Sequence, residues 1–494
     1  GLRYLGYGVE VQNYIDDTGV QVADVVWGLL QYRKMNIQQI KGQDNLASYL
    51  WDLYSDVHRM VEEKSEITQQ IREVLKRIEL KKNPEFEMSR FISNTVLENH
   101  IRLMESVGIR YNLLVRESDI IELEFFELAS KILKEKKVMY PSEDPVKEGC
   151  WVIKYNRENI EKIIIRSDHT ITYIGKDIAY ALWKVGLLGK DFFYQSFYEY
   201  PDSEKLYITG TGSHSESPAF GNARQIYNVI GKRQSYLQNI ISQVLGSLDN
   251  GQLGKHFIHF SYEMVSLTSR CVQDMGFEIS ERDKAKPFVD VSGRKGIAVK
   301  AEELIKKLTD KSLEEVRLRN PGLDDESADQ IARDIAIGAL RYFMIKFNSN
   351  SVIAFDFQDA LSFEGDSGPY LQYTLVRLNS ILKKMGDQLV DPDIKELDME
   401  LLNEKESGIF YEILLQVSQM DLQIEFAIES KELSVITSYT YSLCQKFNHY
   451  YHLFPIISEQ RLDIKKLRLS LILLIKKKLE VLFGIIGIPI PERM

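Results

Sequence analysis

The sequence predicts an α/β domain with a parallel, doubly wound sheet, followed by an almost wholly helical C-terminal part. Apolar residues recur at helical spacing from Asp44 to about Leu80, which is typical of long amphipathic helices. Short β-branched runs then alternate with helical patterns from Cys150 to Leu267, and helical spacing dominates after Ala301. Such alternation favours a parallel sheet that binds ligands at the carboxyl ends of its strands.

The individual elements follow from the same periodicities. Helices are predicted at 44–80, 88–108, 119–136, 176–188 and 233–248, and strands at 109–115, 150–155, 162–168, 170–175, 224–231 and 254–267. Met139–Pro145, with two prolines around a polar trio, is predicted as a turn-rich linker. The turn FEGDSGPYLQY (Phe363–Tyr373) separates two groups of helices, so a domain boundary is expected there.

Composition is typical of a globular protein, with 44% hydrophobic and 27% charged residues in 494. Three cysteines lie far apart without a C-x-x-C, which favours a reducing compartment over a disulfide framework or a zinc site. The apolar run Leu467–Ile475 is interrupted by Arg468 and is too short for a bilayer, which needs about 20 apolar residues. The N-terminus shows no signal peptide and starts in mid-pattern, so we expect this chain to be a fragment of a longer protein.

The net charge of −10 argues weakly against broad nucleic-acid binding, yet the charge is uneven. The segment from Arg461 to Lys478 contains seven basic residues and one acidic residue, Asp463. This stretch is either a solvated helix face or a surface that faces phosphates.

Several common motifs are absent or weak. Neither a P-loop nor a G-x-G-x-x-G occurs. His256 and His259 lie three apart on a predicted strand and point to opposite faces, which makes a poor metal pair. Ser213 and His214 lack an acid at a suitable spacing, so a surface loop is the better interpretation.

Two stretches are more informative. In SDHTITYIGKDIAY, Tyr173 is predicted to end a strand and Asp177 to enter the next helix, so that a phenol and a carboxylate converge; a carboxylate that merely stabilises the helix N-terminus is equally consistent. In FVDVSGRKGIAVK, a turn of small residues carries the paired cations Arg294 and Lys295, which suits a phosphate.

Six segments resemble arginyl-tRNA synthetases, which are class I aminoacyl-tRNA synthetases. They occur in the family's order and span essentially the whole chain: SDHTITYIGKDIAYALWK, NVIGKRQSYLQ, VSGRKGIAVKAEELI, FEGDSGPYLQY, FNHYY and GIPIPERM. The resemblance implies an arginine–tRNA ligase. Such an enzyme activates L-arginine with ATP and Mg²⁺ and transfers the arginyl group to the 3′ end of tRNA(Arg), without a bound metal or organic cofactor.

The resemblance also implies site residues. Arginine would be held by Glu117, Tyr173, Asp177 and Gln234, since carboxylates accept bidentate bonds from a guanidinium. ATP would contact His259, Ser292 and Lys295, with Ser292, Arg294 and Lys295 as the catalytic residues of the mobile KMSKS-like loop.

Two features depart from the family's pattern. Asp290 and Gly293 stand where the loop motif carries lysines. No H-x-G-H occurs in the chain, and the resemblance places the HIGH motif shortly before Gly1.

The helical C-terminal part resembles the family's anticodon-binding domain. Tyr373, Asn448, Tyr451 and Met494 match its anticodon face, where aromatic rings stack on bases, although tyrosines of an ordinary core would look the same in sequence.

The resulting organisation is a Rossmann-like catalytic domain at 1–285, incomplete at its N-terminus, with a helical insertion at about 44–150. A loop and stem-contact region at 286–365 and a helical anticodon-binding bundle at 366–494 follow. We expect a cytoplasmic monomer without a membrane segment. A catalytically incomplete fragment that only binds tRNA is the alternative, and a different class I synthetase, such as the cysteine enzyme, fits less well.

Overall fold

The computed structural model describes residues 1–43, 45–212, 218–284, 286–289, 299–386 and 398–494. These residues form two compact units, one of Val9–Ser261 and one of Gly1–Gly8 with Tyr262–Met494. Three predicted phosphate ligands, Ser292, Arg294 and Lys295, lie outside the described residues, as do Ser213 and His214.

The first unit contains most of the strands. They are β1 (Gln12–Ile15), β2 (Leu113–Arg116), β3 (Met139–Pro141), β4 (Trp151–Tyr155), β5 (Ile160–Ile165), β6 (Phe193–Glu199), β7 (Lys205–Gly210), β8 (Ile226–Gly231) and β9 (Phe257–Tyr262). Its helices are α1 (Val20–Trp27), α2 (Ile37–Lys41), α3 (Leu46–Glu63), α4 (Ser65–Glu79), α5 (Glu85–Ser106), α6 (Glu117–Glu122), α7 (Phe125–Glu135), α8 (Tyr173–Lys184), α9 (Ser235–Leu248) and α10 (Gln252–His256).

The main sheet has the order β1-β2-β7-β6, in which β1, β2 and β7 are parallel and β6 pairs antiparallel with β7. The continuous apolar run of β2 reflects burial on both faces. Leu113 and Val115 pack into one hydrophobic cluster, whereas Leu114 packs into another with Leu206 and Ile208 of β7. A parallel sheet is therefore present, as predicted, but of its three parallel strands sequence analysis predicted only β2 and missed β1 and β7.

Several predicted strands lie elsewhere. β4 and β5 form a separate antiparallel sheet, because a β-branched run specifies a strand without specifying its partner. The third strand of this sheet, β3, occupies the first part of the predicted linker 139–145, so that prediction is wrong for Met139–Pro141. The predicted strand at 170–175 is wrong, since Tyr173 begins helix α8 and Thr172 is its extended N-cap. The predicted strand at 254–267 begins too early, because His256 ends α10. His256 and His259, which the sequence already indicated to be a poor metal pair, thus do not share a strand.

The helical pattern from 44 to 80 is confirmed as α3 and α4. On α4 the buried residues Ile67, Ile71, Val74 and Ile78 recur every three or four positions and pack in one cluster with Val26 of α1.

The second unit is largely helical. Its elements are β10 (Val265–Leu267), α11 (Ser269–Asp274), α12 (Glu281–Lys284), α13 (Ala301–Arg319), α14 (Asp325–Ile345), β11 (Ile353–Phe355), α15 (Phe357–Ala360), α16 (Gly368–Met385), α17 (Glu404–Ser418), α18 (Met420–Ser430), α19 (Ser434–Leu453) and α20 (Leu462–Ile486). Sequence analysis missed the parallel pair β10–β11. The predicted turn at 363–373 contains the start of α16, where the Ser367 hydroxyl accepts a hydrogen bond from the Tyr370 N–H at 3.2 Å.

Helices α14 and α16 approach each other through two glycines. A Cβ on Gly368 would lie 2.5 Å from the carbonyl oxygen of Gly338. Four residues further along α16, the Gln372 side-chain amide donates to the carbonyls of Asp334 and Pro489, both at 2.9 Å. Among the described residues, no helix combines the length and apolar character needed to cross a membrane.

Candidate functional site

Acidic residues gather at the carboxyl edge of the main sheet. Ile15 at the end of β1 is in register with Arg116 at the end of β2. Asp16 and Glu117 follow these two positions, so the parallel pairing brings two carboxylates from distant parts of the chain to one edge.

Buried polar contacts fix the backbone that carries Glu117. Asp17 accepts hydrogen bonds from the N–H of Ser118 at 3.0 Å and from its hydroxyl at 2.7 Å. Arg116, only 2% exposed, donates to the carbonyl of Thr209 at 3.3 Å. The start of α6 is thereby tied to both β1 and β7, which holds Glu117 at the sheet edge.

Glu117 accepts three hydrogen bonds. Its Oε2 accepts from the Tyr14 hydroxyl at 3.0 Å, and its Oε1 accepts from Thr18 at 3.2 Å and from the Lys176 ammonium at 2.5 Å. Burial and the neighbouring Glu117 charge raise the pKa of Tyr14, so its hydroxyl remains a donor.

Tyr173 and Asp177 lie one turn apart on α8 and therefore share a helix face. The predicted convergence of a phenol and a carboxylate thus arises within one helix rather than across a strand–helix junction. Burial, followed by the nearby charge of Glu117, raises the pKa of Asp177 to about 6. The same two causes raise the pKa of Asp16. The Glu117 charge thus disfavours ionisation of both Asp16 and Asp177, and three carboxylates at one sheet edge form a site suited to a cation.

Lys184 lies two turns beyond Asp177 on α8. Its ammonium is 4.0 Å from the Tyr180 ring centroid and 3.2 Å from Oδ1 of Asn228. Burial lowers the pKa of Lys184 to about 8, although the negative charges of Asp177 and Glu10 act to raise it.

Sequence analysis missed Tyr14, Lys176 and Lys184 as members of this site. A signal existed for Lys184, because it continues the helical spacing of Tyr173 and Asp177. Tyr14 belongs to a strand that pairs with β2 about a hundred residues later in the chain, and only the tertiary fold shows that pairing.

The remaining predicted ligands of this unit make no hydrogen bond to these carboxylates among the described residues. Gln234 is exposed in a short 3-10 turn, Lys232–Gln234, and no hydrogen bond in the described residues joins it to Glu117 or Asp177. His259 on β9 has its Nε2 3.0 Å from the carbonyl oxygen of Ile230 on β8. Their roles in binding arginine and ATP stay predictions.

A second group of predicted residues meets on the helical bundle. Asn448 donates to the hydroxyls of Tyr370 and Thr374 at 3.1 and 2.9 Å, and accepts from Arg377 at 3.0 Å.

The same Arg377 guanidinium lies 5.4 Å from the ring centroid of Tyr373 and 5.5 Å from that of Tyr451. Tyr373, Asn448 and Tyr451 therefore surround one cation, Arg377, which sequence analysis did not single out. Aromatic rings beside a guanidinium can stack on unpaired bases.

Met494 lies with a different group. It packs on the apolar cluster of α13 and α14 that includes Val316, Ala328 and Ile331.

The basic stretch 461–478 is only partly a charged surface. Arg468 is buried and makes a bidentate ion pair with Glu406, with N···O distances of 2.6 and 2.9 Å, and a third contact to Glu459 at 2.9 Å. Lys476 pairs with Glu480 at 2.6 Å. The hypothesis of a phosphate-facing surface is therefore wrong for Arg468.

Within the described ranges, no group of three histidine, cysteine or acidic side chains is placed to hold a metal ion. Cys150, Cys271 and Cys444 are all free and buried.

Two family profiles match this chain. "tRNA synthetases class I (R), catalytic domain" matches residues 1–192, and "DALR anticodon binding domain" matches residues 371–494. The chain is 33% identical to the arginine–tRNA ligase of Pyrococcus abyssi, over 100% of this chain and 76% of the relative. It is 29% identical to an arginine–tRNA ligase of Thermus thermophilus, over 100% of this chain and 77% of the relative.

Solved structures give the same result. The Thermus thermophilus arginyl-tRNA synthetase superposes with a TM-score of 0.80 at 27% identity, covering 100% of this chain and 77% of that one. The Plasmodium falciparum arginyl-tRNA synthetase shares the fold with a TM-score of 0.69 at 16% identity, covering 100% of this chain and 71% of that one.

Proposed function

The chain belongs to the arginyl-tRNA synthetase family, and we propose that it is an arginine–tRNA ligase. It activates L-arginine with ATP to give arginyl-adenylate and pyrophosphate, and then transfers the arginyl group to the 3′ end of tRNA(Arg). The structural observation that best supports this proposal is the group of three carboxylates, Asp16, Glu117 and Asp177, at the edge of the main sheet. We call this group the carboxylate site.

The carboxylate site is chemically matched to arginine. A guanidinium is a planar cation with five donors, and it pairs best with carboxylates that can accept two parallel bonds. Glu117 and Asp177 supply those acceptors, while Tyr173, which is 61% exposed at the start of α8, can cover the bound ligand. Gln234 is the fourth proposed arginine contact.

The two chemical steps need no covalent bond to the protein. In the first, an oxygen of the arginine carboxylate bonds to the α-phosphorus of ATP while the bond to pyrophosphate breaks. In the second, a ribose hydroxyl of tRNA attacks the adenylate carbonyl, and AMP leaves with the bonding electron pair. The protein's part is to orient the reactants and to stabilise the charge that develops on the phosphates.

ATP would enter with Mg²⁺ as a substrate. Its proposed contacts are His259, Ser292 and Lys295, and the proposed catalytic residues are Ser292, Arg294 and Lys295. Cations near the departing pyrophosphate are the chemistry that this step requires.

The helical bundle would bind the anticodon. The partly exposed rings of Tyr373 and Tyr451 both lie close to Arg377, and Asn448 is oriented by three hydrogen bonds, which supports base stacking with a directed polar contact. Met494 is the fourth proposed contact.

We also propose the domain limits 1–285, 286–365 and 366–494, with the insertion at about 44–150. A monomer working in the cytoplasm fits the three free, buried thiols.

The decisive test is the incorporation of labelled L-arginine into tRNA by this chain and by a chain extended upstream of Gly1, with L-lysine and a reaction without tRNA as controls. We expect arginine-specific, tRNA-dependent product from the extended chain, and we expect Asp177→Ala to abolish it while the circular dichroism spectrum is unchanged. Wild-type turnover by Asp177→Ala would refute the assigned arginine site. Tight tRNA binding without any arginylation would instead support the alternative of a chain that only binds tRNA.

A further inference from the structure

A lysine side chain already occupies the carboxylate site. The Lys176 ammonium lies 2.5 Å from Oε1 of Glu117, and the two side chains are 28% and 14% exposed. Thr18 donates to the same oxygen and Tyr14 to the other one. The acceptor positions of Glu117 are therefore largely filled by the protein's own donors.

A bidentate guanidinium cannot be added to this arrangement unchanged. It needs both carboxylate oxygens in one plane, and Oε1 already accepts two hydrogen bonds. Lys176 is the donor that can leave, because its four-carbon stem is flexible and its side chain reaches solvent. Tyr14, by contrast, is anchored on β1.

We propose that the ammonium of Lys176 stands in for the guanidinium at Glu117 until L-arginine displaces it. The inference rests on the proposed function, since it concerns the same site. In the free protein Lys176 relieves the repulsion among Asp16, Glu117 and Asp177. During binding it is a competitor, so that only the fraction of molecules with Lys176 displaced is competent to bind.

The competition has a quantitative signature. A cation that must leave lowers the affinity for every guanidinium ligand by the same factor. A partly exposed ion pair of this kind corresponds to about a two- to fivefold change in Kd.

Two other roles for Lys176 predict the opposite result. If Lys176 only orients Glu117 and remains beside the bound ligand as a structural partner, its removal weakens every guanidinium ligand. If Lys176 turns to hold the α-carboxylate of arginine, its removal weakens L-arginine but not agmatine, which has the guanidinium and lacks the carboxylate.

The first experiment is isothermal titration of this chain with L-arginine and with agmatine, in the absence of ATP and tRNA. Lys176→Met removes the charge and keeps the apolar stem, and we expect both ligands to bind about two- to fivefold more tightly. The matched variant Lys176→Arg keeps a competing cation that can itself bind bidentately, so we expect its affinity to be no tighter than wild type. Thermal unfolding of each variant verifies that it is folded.

The second experiment uses the unsubstituted chain. Acetic anhydride labels free amines, and peptide mass spectrometry gives the labelling rate of Lys176. We expect this rate to rise when L-arginine is saturating, because the ammonium is released to solvent, and to remain unchanged with L-citrulline, the neutral analogue.

The outcomes separate this inference from the function on which it rests. Slower labelling of Lys176 with L-arginine, or weaker binding of either ligand by Lys176→Met, overturns the inference and leaves the arginine site standing. If neither wild type nor Lys176→Met binds L-arginine, the proposed function fails, and the inference fails with it.

Discussion

Two carboxylates in different units of this chain illustrate opposite ways of treating a buried negative charge. In the helical unit, Glu406 accepts from Arg468 Nε at 2.6 Å and from Nη2 at 2.9 Å, and the Tyr450 hydroxyl adds a third bond at 2.9 Å. In the other unit, Glu117 also accepts from a tyrosine hydroxyl, yet its cation is a partly exposed lysine.

The difference teaches what distinguishes a structural acid from a binding acid. Glu406 has its guanidinium within the protein, so its interactions are complete and contribute to the bundle. Glu117 has the same kind of tyrosine partner, but within the described ranges its ion pair is with a lysine and with no guanidinium, and its neighbours Asp16 and Asp177 are acidic. The bidentate geometry that the chain builds internally at Glu406 is the one we propose for the substrate at Glu117.

The largest effect on stability is expected when the ion pair between Arg468 and Glu406 is broken. Arg468→Met leaves Glu406 buried without a cation, which should lower the free energy of unfolding by about 3–5 kcal/mol. Urea denaturation followed by circular dichroism measures this loss. The double variant Glu406→Gln/Arg468→Met removes both charges and should recover part of it; no recovery would mean that packing, rather than charge, dominates at this position.

Removal of the binding acid should instead affect ligand affinity. Glu117→Gln keeps one acceptor oxygen, for either Tyr14 or Thr18, but loses the charge, so Kd for L-arginine should rise by roughly 10- to 150-fold, or about 1.5–3 kcal/mol. The melting temperature should stay close to that of wild type. A large fall in melting temperature with unchanged affinity would contradict the assignment of Glu117 as a binding acid.

The pH dependence of arginine affinity provides a sharper test of the role of Asp177. Burial raises the pKa of Asp177 to about 6 in the free protein, and we propose that the guanidinium binds its ionised form. Affinity should therefore rise by up to about tenfold per pH unit below that value and level off above pH ~7. Titrations between pH 5 and 8 should show this rise in wild type and lose it in Asp177→Asn.

Substitution of Asp177 should change the free energy of unfolding in the opposite direction to substitution of Arg468. A carboxyl whose pKa is raised on folding favours the folded state below its unfolded pKa, and that contribution is lost as pH rises through about 6. At pH 7.5, Asp177→Asn should stabilise the ligand-free protein by about 1 kcal/mol, after allowance for its partial exposure. A destabilised Asp177→Asn would mean that Asp177 is a structural acid like Glu406.

Effects of similar, small size are expected from the two tyrosine hydroxyls. Tyr450→Phe should lower the free energy of unfolding by about 1–1.5 kcal/mol, while Tyr14→Phe should weaken arginine binding by less than about tenfold. Denaturation and titration of both variants form a matched comparison. An effect of Tyr14→Phe on stability as large as that of Tyr450→Phe would remove the distinction between the two sites.

The sequence predicted the parts of the fold that local periodicity specifies. Helices α3 and α4 repeat an apolar residue every three or four positions, and β2 is a continuous apolar run. The run at 170–175 was wrongly predicted as a strand because Ile171 and Thr172 are β-branched. In the structure Thr172 is the extended N-cap of α8 and Tyr173 is the first residue of that helix. The strands β10 and β11 have three residues each, too few for any period to show.

The candidate site was predictable only in part for a related reason. Glu117 was identified only through resemblance to a family, which transfers positions without their surroundings, whereas Asp177 was also singled out by its position one helical turn after Tyr173. Tyr14 and Lys176 reach Glu117 from a distant strand and a distant helix. Their contacts depend on the register of β1 with β2 and on the packing of α8, which a local pattern does not encode.

The glycine crossing of α14 and α16 limits how this chain can be re-engineered. Because a Cβ at Gly368 would collide with a main-chain carbonyl, no rotamer change in a neighbour can make room for it. A library that randomises the helical unit should therefore return glycine at 368. Stabilising substitutions are better sought on the outer faces of the bundle, where a new side chain needs no movement of the helix axes.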